Sequence, residues 1–240
     1  MSPEFLDWDS KFFNLNVGRL VIQADDEIPV DQFNDFDLVY IIIKNDLPGF
    51  KKKHFGTLAF FADEKLTYQK EIGETIKPGD HILSWPPGKD ADRDLLEIGV
   101  QSGEFSRFKI DPEIPAEKFV GLYEQWVINS VNRKIAEEVY YFKDNGEIAG
   151  MITLSIKNDK ADIGILSVHK NSRGKGIATE LVSAAEYWTK NIKGYRQIQV
   201  VTQASNTIAC KFYERKGFRI QKKEFVFHWW KKLKNDKDPI

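Results

Sequence analysis

The stretch ILSVHKNSRGKGIATELVSAAEYW, Ile165 to Trp188, runs a short apolar strand into a basic, glycine-bearing turn and then directly into an amphipathic helix. Gly174, Gly176 and Ala178 keep the backbone of this turn accessible, and the N–H groups of a helical first turn have no intrahelical acceptor. Arg173 and Lys175 add charge, and the helix dipole adds more, so the turn is suited to a phosphate or pyrophosphate. A plain strand-to-helix turn, with glycine serving only backbone geometry, accounts for the same residues. Two phosphate loops fail here. A Walker loop needs Ser or Thr after Gly-Lys, where this chain has Gly176. The dinucleotide fingerprint needs three glycines at a different spacing in a parallel βαβ unit.

Working outward, ADIGILSV (161–168) is the strand that feeds the turn. Before it, EVYYFKDNGEIAGMITLSIKND (138–159) reads as two strands around Asp144-Asn145-Gly146, with a second turn at Asn158-Asp159. Phe119, Leu122, Tyr123, Trp126, Val127 and Val131 have helical spacing over 116–136. After the turn come a helix from Ile177 to about Lys190, the strand RQIQVVTQ, a helix from Thr207 to Lys216 and a last strand, FRIQKKEFVFHWWKK. The C-terminal half therefore reads α-β-β-β-α-β-α-β, an α+β fold with helices packed on a mixed, mostly antiparallel sheet.

Upstream, IKPGDHILSWPPGKDADRD (76–94) carries three prolines and two glycines among charges and reads as a long exposed loop. A domain boundary is expected between Pro78 and Pro115, giving a small N-terminal α/β domain over 1–105 and a second domain over 106–240. The order strand, short helix, strand in 38–72 echoes that in 198–230, which suggests a shrunken internal copy.

Composition narrows the function classes. With 35 basic and 36 acidic residues the net charge is −1, so no overall field recruits nucleic acid or an anionic membrane. The lysine runs at 51–53 and 231–234 read as solvated faces. A lone cysteine, Cys210, leaves no internal disulfide and fits a reducing compartment. The acidic N-terminus lacks an apolar signal core, and the longest apolar run, Leu38 to Ile43, is far too short for a membrane span. A cytoplasmic protein is expected. Four scattered histidines and one cysteine have no ligand spacing, so no metal is expected.

Arg-x-x-Gly-x-Ala (Arg173, Gly176, Ala178) after its strand resembles the pyrophosphate loop of the GCN5-related N-acetyltransferases, the GNAT superfamily. ASNTIACKFYERKGF (204–218) resembles a second family block, through Asn206, Ala209, Tyr213, Gly217 and Phe218. The resemblance implies a GNAT fold and acetyl-coenzyme A as co-substrate. It implies that Leu166, Ser167 and Val168 run along the acetyl arm, with Val168 N–H as the oxyanion donor. Arg173, Gly174, Lys175, Gly176, Ile177 and Ala178 would hold the pyrophosphate, with Asn206, Ala209 and Tyr213 also at the cofactor. Tyr213 is the implied proton donor to the leaving thiolate, since a thiol near pKa ~8.5 departs more easily when protonated and a tyrosine near ~10 carries a proton at neutral pH. Read locally, Tyr213 is a packed aromatic and Asn206 an N-cap. His169 reads as a surface histidine, and no general base is assigned, with Asp162 and Glu147 left open.

FLDWDSKFFNLNVGRL at the start, SGEFSRFKID (102–111), LYEQWVINSVNR (122–133) and ADIGILSV resemble one branch, the TDP-fucosamine acetyltransferases. That branch implies a nucleotide-linked 4-amino-4,6-dideoxy sugar as acceptor. Ser106, Arg107 and Phe108 offer a hydroxyl, a guanidinium and a ring for such a substrate, or equally a salt bridge and a core plug. Tyr123 and Trp126 read as core. Adjacent strand residues face opposite ways, so one of Trp229 and Trp230 is expected at an exposed edge, where a homodimer contact would form. The rival readings are a GNAT enzyme for another amine (protein N-terminus, polyamine or antibiotic) and a non-catalytic acyl-coenzyme A binding protein.

Overall fold

The run LVYIIIK, Leu38–Lys44, forms strand β3, and its unbroken apolar character is that of a strand buried on both faces. A computed structural model describes residues 2–44, 48 and 55–231. The lysine run at 51–53 and the tail lysines 232 and 234 lie outside the described residues. The chain divides into two compact units, the first running to Leu66 and taking in Gln203–Ser205 and the chain from Lys222. The second comprises Thr67–Thr202 and Asn206–Gln221. This division falls at Leu66/Thr67 rather than at 105/106, and the chain from Lys222 joins the first unit because the last strand supplies core to it.

In the first unit β1 (Glu4–Phe5) pairs antiparallel with β2 (Val17–Gln23), and α1 (Asp7–Phe13) lies between them in the chain. β2 and β3 are parallel in unbroken register from Val17↔Leu38 to Gln23↔Lys44. The last strand, β10 (Arg219–Trp230), pairs antiparallel with β3 from Glu224↔Lys44 to Trp230↔Leu38. One face closes over Leu20, Ile22, Phe33, Val39, Ile41, Ile43, Phe227 and Trp229.

The expected exposed tryptophan is not found. Trp229 and Trp230 are both buried. β10 is not an edge strand: β3 lies on one side of it and β4 (Phe60–Glu71) on the other. Trp229 meets Phe33 edge-on with ring centroids 5.2 Å apart, so the strand is covered where sequence alternation alone would have left it open.

In the second unit the strand order is β9-β8-β7-β6-β5. The segment read as an exposed loop contains β5 (Ile82–Ser84), paired with β6 (Glu138–Asp144), followed by a fully buried Trp85. Trp85 N–H donates to Val139 C=O at 2.8 Å and its indole N–H to Lys89 C=O at 3.0 Å. α2 (Arg93–Ser102) then starts on Asp92, whose side chain accepts from Leu95 N–H, an N-cap that the sequence reading passed over. α3 (Arg107–Ile110) and α4 (Ala116–Val131) follow. Leu95, Ile98, Val127 and Val131 pack with Trp85, Val139, Met151 and Ile165 on one face of the sheet.

β7 (Glu147–Lys157) returns from β6 through Asn145 and Gly146, both at positive φ, as a tight hairpin requires. β8 (Lys160–Val168) returns through Asn158 and Asp159, again at positive φ. α5 (Ile177–Tyr187) covers the opposite face. It approaches so closely that a Cβ on Gly150 would lie 3.0 Å from Ile177 and 3.1 Å from Leu181. A π turn, Trp188–Ile192, extends it before β9 (Gln197–Gln203), and α6 (Thr207–Arg215) leads into β10.

Candidate active site

β8 and β9 are the parallel pair of the second unit, and they part early. Their register covers Ala161↔Ile198, Asp162↔Gln199 and Ile163↔Val200, and there it stops. β8 continues to Val168 against β7 alone. α5 and α6 both begin past the C-terminal ends of this parallel pair, the position at which open α/β sheets bind ligands.

The strand's alternation identifies the donors on the open edge. Ile165 N–H donates to Thr153 Oγ at 2.9 Å and His169 N–H to Ala149 C=O at 2.9 Å, both toward β7. The intervening N–H groups of Leu166 and Val168 therefore point the other way, into the gap that β9 leaves. Two unpaired, parallel donors on a strand edge can hold the carbonyls of an extended ligand arm or a developing oxyanion.

The turn after β8 is built as its residues suggest. Gly174 and Gly176 have φ of 82° and 85°, and an added Cβ at either would meet no protein atom within 4 Å. Backbone conformation, rather than crowding, thus requires glycine at both positions. Gly176 caps α5, leaving the N–H groups of Ile177 and Ala178 at the helix mouth. Arg173 Nε donates to Val168 C=O at 3.2 Å, which ties the loop to the end of β8. Lys175 Nζ lies 3.0 Å from Asp144.

On α6, Asn206 Oδ1 accepts from Ala209 N–H at 3.1 Å, a side-chain N-cap. Tyr213 is buried among Phe212, Phe218 and Tyr68, with centroids 5.4, 5.6 and 5.9 Å away. Burial raises its pKa well above the usual tyrosine value, with a smaller contribution from Cys210. The Tyr213 hydroxyl therefore holds its proton near neutrality. Tyr68 OH donates to Glu214 at 3.0 Å, and burial likewise raises its pKa.

The acceptor-side residues are arranged differently. Phe108 is buried, edge-on to Trp126 at 6.1 Å and with the Arg107 guanidinium 4.3 Å over its ring. It is a packing residue. Ser106 stands at the start of α3 with its buried hydroxyl unpaired. Tyr123 and Trp126 pack at 4.8 Å, as core.

Sequence reading missed the brace that α2 supplies. Gln101 accepts from Lys170 N–H at 3.0 Å, and Glu97 lies 3.6 Å from His169 Nε2. His169 Nδ1 accepts from Asn171 N–H, so this histidine secures the turn and is not an incidental surface group. Asp162 bonds Lys157 and Gln199, tying β7, β8 and β9 together below the fork. Glu147 is exposed. Among the described residues no group of three His, Cys, Asp or Glu side chains is placed to hold a metal, and no helix is long and apolar enough to cross a membrane.

Residues 104–218 match the model of the acetyltransferase (GNAT) family. The chain is 26% identical over 145 residues to the spore coat polysaccharide biosynthesis protein SpsD of Bacillus subtilis, covering 60% of this chain and half of that protein's length. It is 23% identical to a dTDP-fucosamine acetyltransferase of Escherichia coli over 92% of this chain and 94% of that one. Among solved structures, a conserved protein of unknown function from Staphylococcus epidermidis superposes with a TM-score of 0.58 at 12% identity, covering 89% of this chain and 83% of its own. A GCN5-related N-acetyltransferase from Sphaerobacter thermophilus gives 0.51 at 16% identity, covering 80% and 60%. With a parallel pair forked beneath the Arg173–Ala178 loop and the family model matched across both, residues 104–218 belong to the GNAT acetyltransferase family.

Proposed function

We propose that the protein transfers acetyl from acetyl-coenzyme A to the amino group of a nucleotide-linked 4-amino-4,6-dideoxy sugar. The observation that carries the transfer chemistry is the fork of β8 from β9, which leaves the Leu166 and Val168 N–H groups unpaired beside the basic loop. Acetyl-coenzyme A lies, in this reading, with its pyrophosphate on the mouth of α5 and its acyl arm along β8. The helix N-terminus contributes about 0.3–1 kcal/mol to holding an anion, and Arg173 and Lys175 add direct charge. The amine attacks the thioester carbonyl directly, and Val168 N–H stabilises the oxygen that gains charge. The C–S bond breaks as the C–N bond forms, Tyr213 gives its proton to the departing thiolate, and the proton shed by the amine nitrogen returns through water to Tyr213.

The acceptor class rests on the two relatives named for sugar-related roles and on the chain-long alignment to one of them. Arg107 and the unpaired hydroxyl of Ser106 supply the polar groups proposed for it, with Phe108 as their packed support.

The test is release of free thiol from acetyl-coenzyme A with a panel of TDP-linked amino sugars and control polyamines. Turnover is expected with TDP-4-amino-4,6-dideoxy-galactose. Turnover confined to the polyamines overturns the acceptor, and a chain that neither binds acetyl-coenzyme A nor releases thiol overturns the transferase.

A further inference from the structure

We propose that Thr153 is a positioning residue for acyl transfer, setting through a bulge in β8 which backbone N–H groups face the open edge. The proposal rests on the reading that this edge holds the thioester. β7 and β8 pair as Leu154↔Ile163 on one side of the irregularity and as Ile152↔Leu166 on the other. Between them Thr153 alone opposes two residues, Gly164 and Ile165. β8 therefore carries one extra residue at this point, and the point is the fork, since Ile163 is the last residue of β8 registered with β9.

An extra residue in a strand bends it and leaves one ladder N–H without its regular acceptor. Here that group is Ile165 N–H, and Thr153 Oγ supplies the acceptor at 2.9 Å. Thr153 is 2% exposed, so no water replaces it cheaply. Gly164 makes the approach possible: a Cβ there would lie 2.9 Å from Thr153 Oγ. Its φ lies outside the left-handed range, so space rather than backbone freedom requires glycine at this position.

The bulge fixes the parity of everything beyond it. With the extra residue in place, the Leu166 and Val168 N–H groups face the gap. Without it, β8 slips by one and the N–H groups of Ser167 and His169 turn outward instead. Ser167 and Ile165, both buried, would then exchange environments with their neighbours. Thr153 thus acts on the reaction through β8 and touches no reacting atom.

The experiment compares Thr153→Val with Thr153→Ser in the full chain, well below the thermal midpoint. It reads kcat and KM for acetyl-coenzyme A with TDP-4-amino-4,6-dideoxy-galactose, and amide hydrogen exchange across 163–169. Valine keeps the shape and removes the acceptor, so kcat is expected to fall about 10-fold or more, with faster exchange at Ile165. Serine restores both. Gly164→Ala, which forces the same pair apart, is expected to reproduce the valine result and covers the case in which the valine variant fails to fold. Wild-type kcat and wild-type Ile165 exchange in the valine variant overturn the proposal. An unsubstituted chain that neither binds acetyl-coenzyme A nor releases thiol overturns the reading on which the proposal rests, a result distinct from a valine variant that matches an active wild type.

Discussion

At Tyr213 burial acts on the proton itself. The ring is enclosed and its pKa is raised by desolvation, so the hydroxyl remains protonated beyond the usual tyrosine value of ~10. As the proposed proton donor, Tyr213 is lost only as pH climbs past that raised value, and it is expected to impose no alkaline limb on the rate below about pH 10. Tyr213→Phe is expected to lower kcat by roughly 100-fold while leaving KM for acetyl-coenzyme A nearly unchanged, as measured by thiol release across pH. A phenylalanine variant with wild-type kcat would remove this tyrosine from the mechanism. The role proposed for Arg173 lies in the binding step instead. Its bond to Val168 C=O and its charge both serve the loop, so Arg173→Ala is expected to raise that KM about 10-fold, with a shallower dependence on salt.

Elements show where local pattern suffices and where it does not. The two tight turns of the β6-β7-β8 meander were readable because Asn-Gly and Asn-Asp accept positive φ with little help from neighbours. α5 was readable from its spacing and from Gly176, whose φ of 85° strains any side chain, so Gly176→Ala is expected to cost about 1–3 kcal/mol in urea unfolding. β5 was not readable, since three residues display no period and the prolines after it suggested a loop. Trp85 became core only because Val139 and the α2–α4 layer close over it. A weaker, pH-linked tie joins the residue after the π turn to the residue before β6: Lys193 Nζ lies 2.6 Å from Glu137. Lys193 holds the Glu137 pKa below its ordinary value, with Ile156 N–H assisting against partial burial. A carboxyl with a depressed folded pKa stabilises above its unfolded pKa and loses that contribution as pH falls through the folded one. Glu137→Gln is therefore expected to flatten the acid side of a urea-midpoint profile below about pH 4.5, by under ~1 kcal/mol because both groups are partly exposed.

Across the whole molecule, the first unit is completed by residues far away in sequence. Phe225, Phe227 and Trp229 of β10 stand in the same core as Leu20, Ile41 and Phe33. A fragment of residues 1–105 is accordingly expected to lack cooperative unfolding by circular dichroism, and Trp229→Ala in the full chain to cost about 3–5 kcal/mol. The recurrence of strand, helical turn and strand after a parallel partner, in 38–72 and again in 198–230, supports the proposal of a degenerate internal copy. The two parallel pairs differ in the respect that matters chemically. β2 and β3 stay in register for seven pairs and leave no N–H free between them, while β8 and β9 share three pairs and then part. By itself the sequence determined the loop, its helix, the strand that feeds them and the two blocks that carry the family resemblance, all of which depend on spacing within a few residues. Tertiary structure alone decided that both tryptophans are buried, that Trp85 is core, that Phe108 packs and that Thr153 opposes two residues of β8. Each of these depends on a partner strand or layer distant in the chain, and hydrogen-bond register between such segments leaves no local mark on either one.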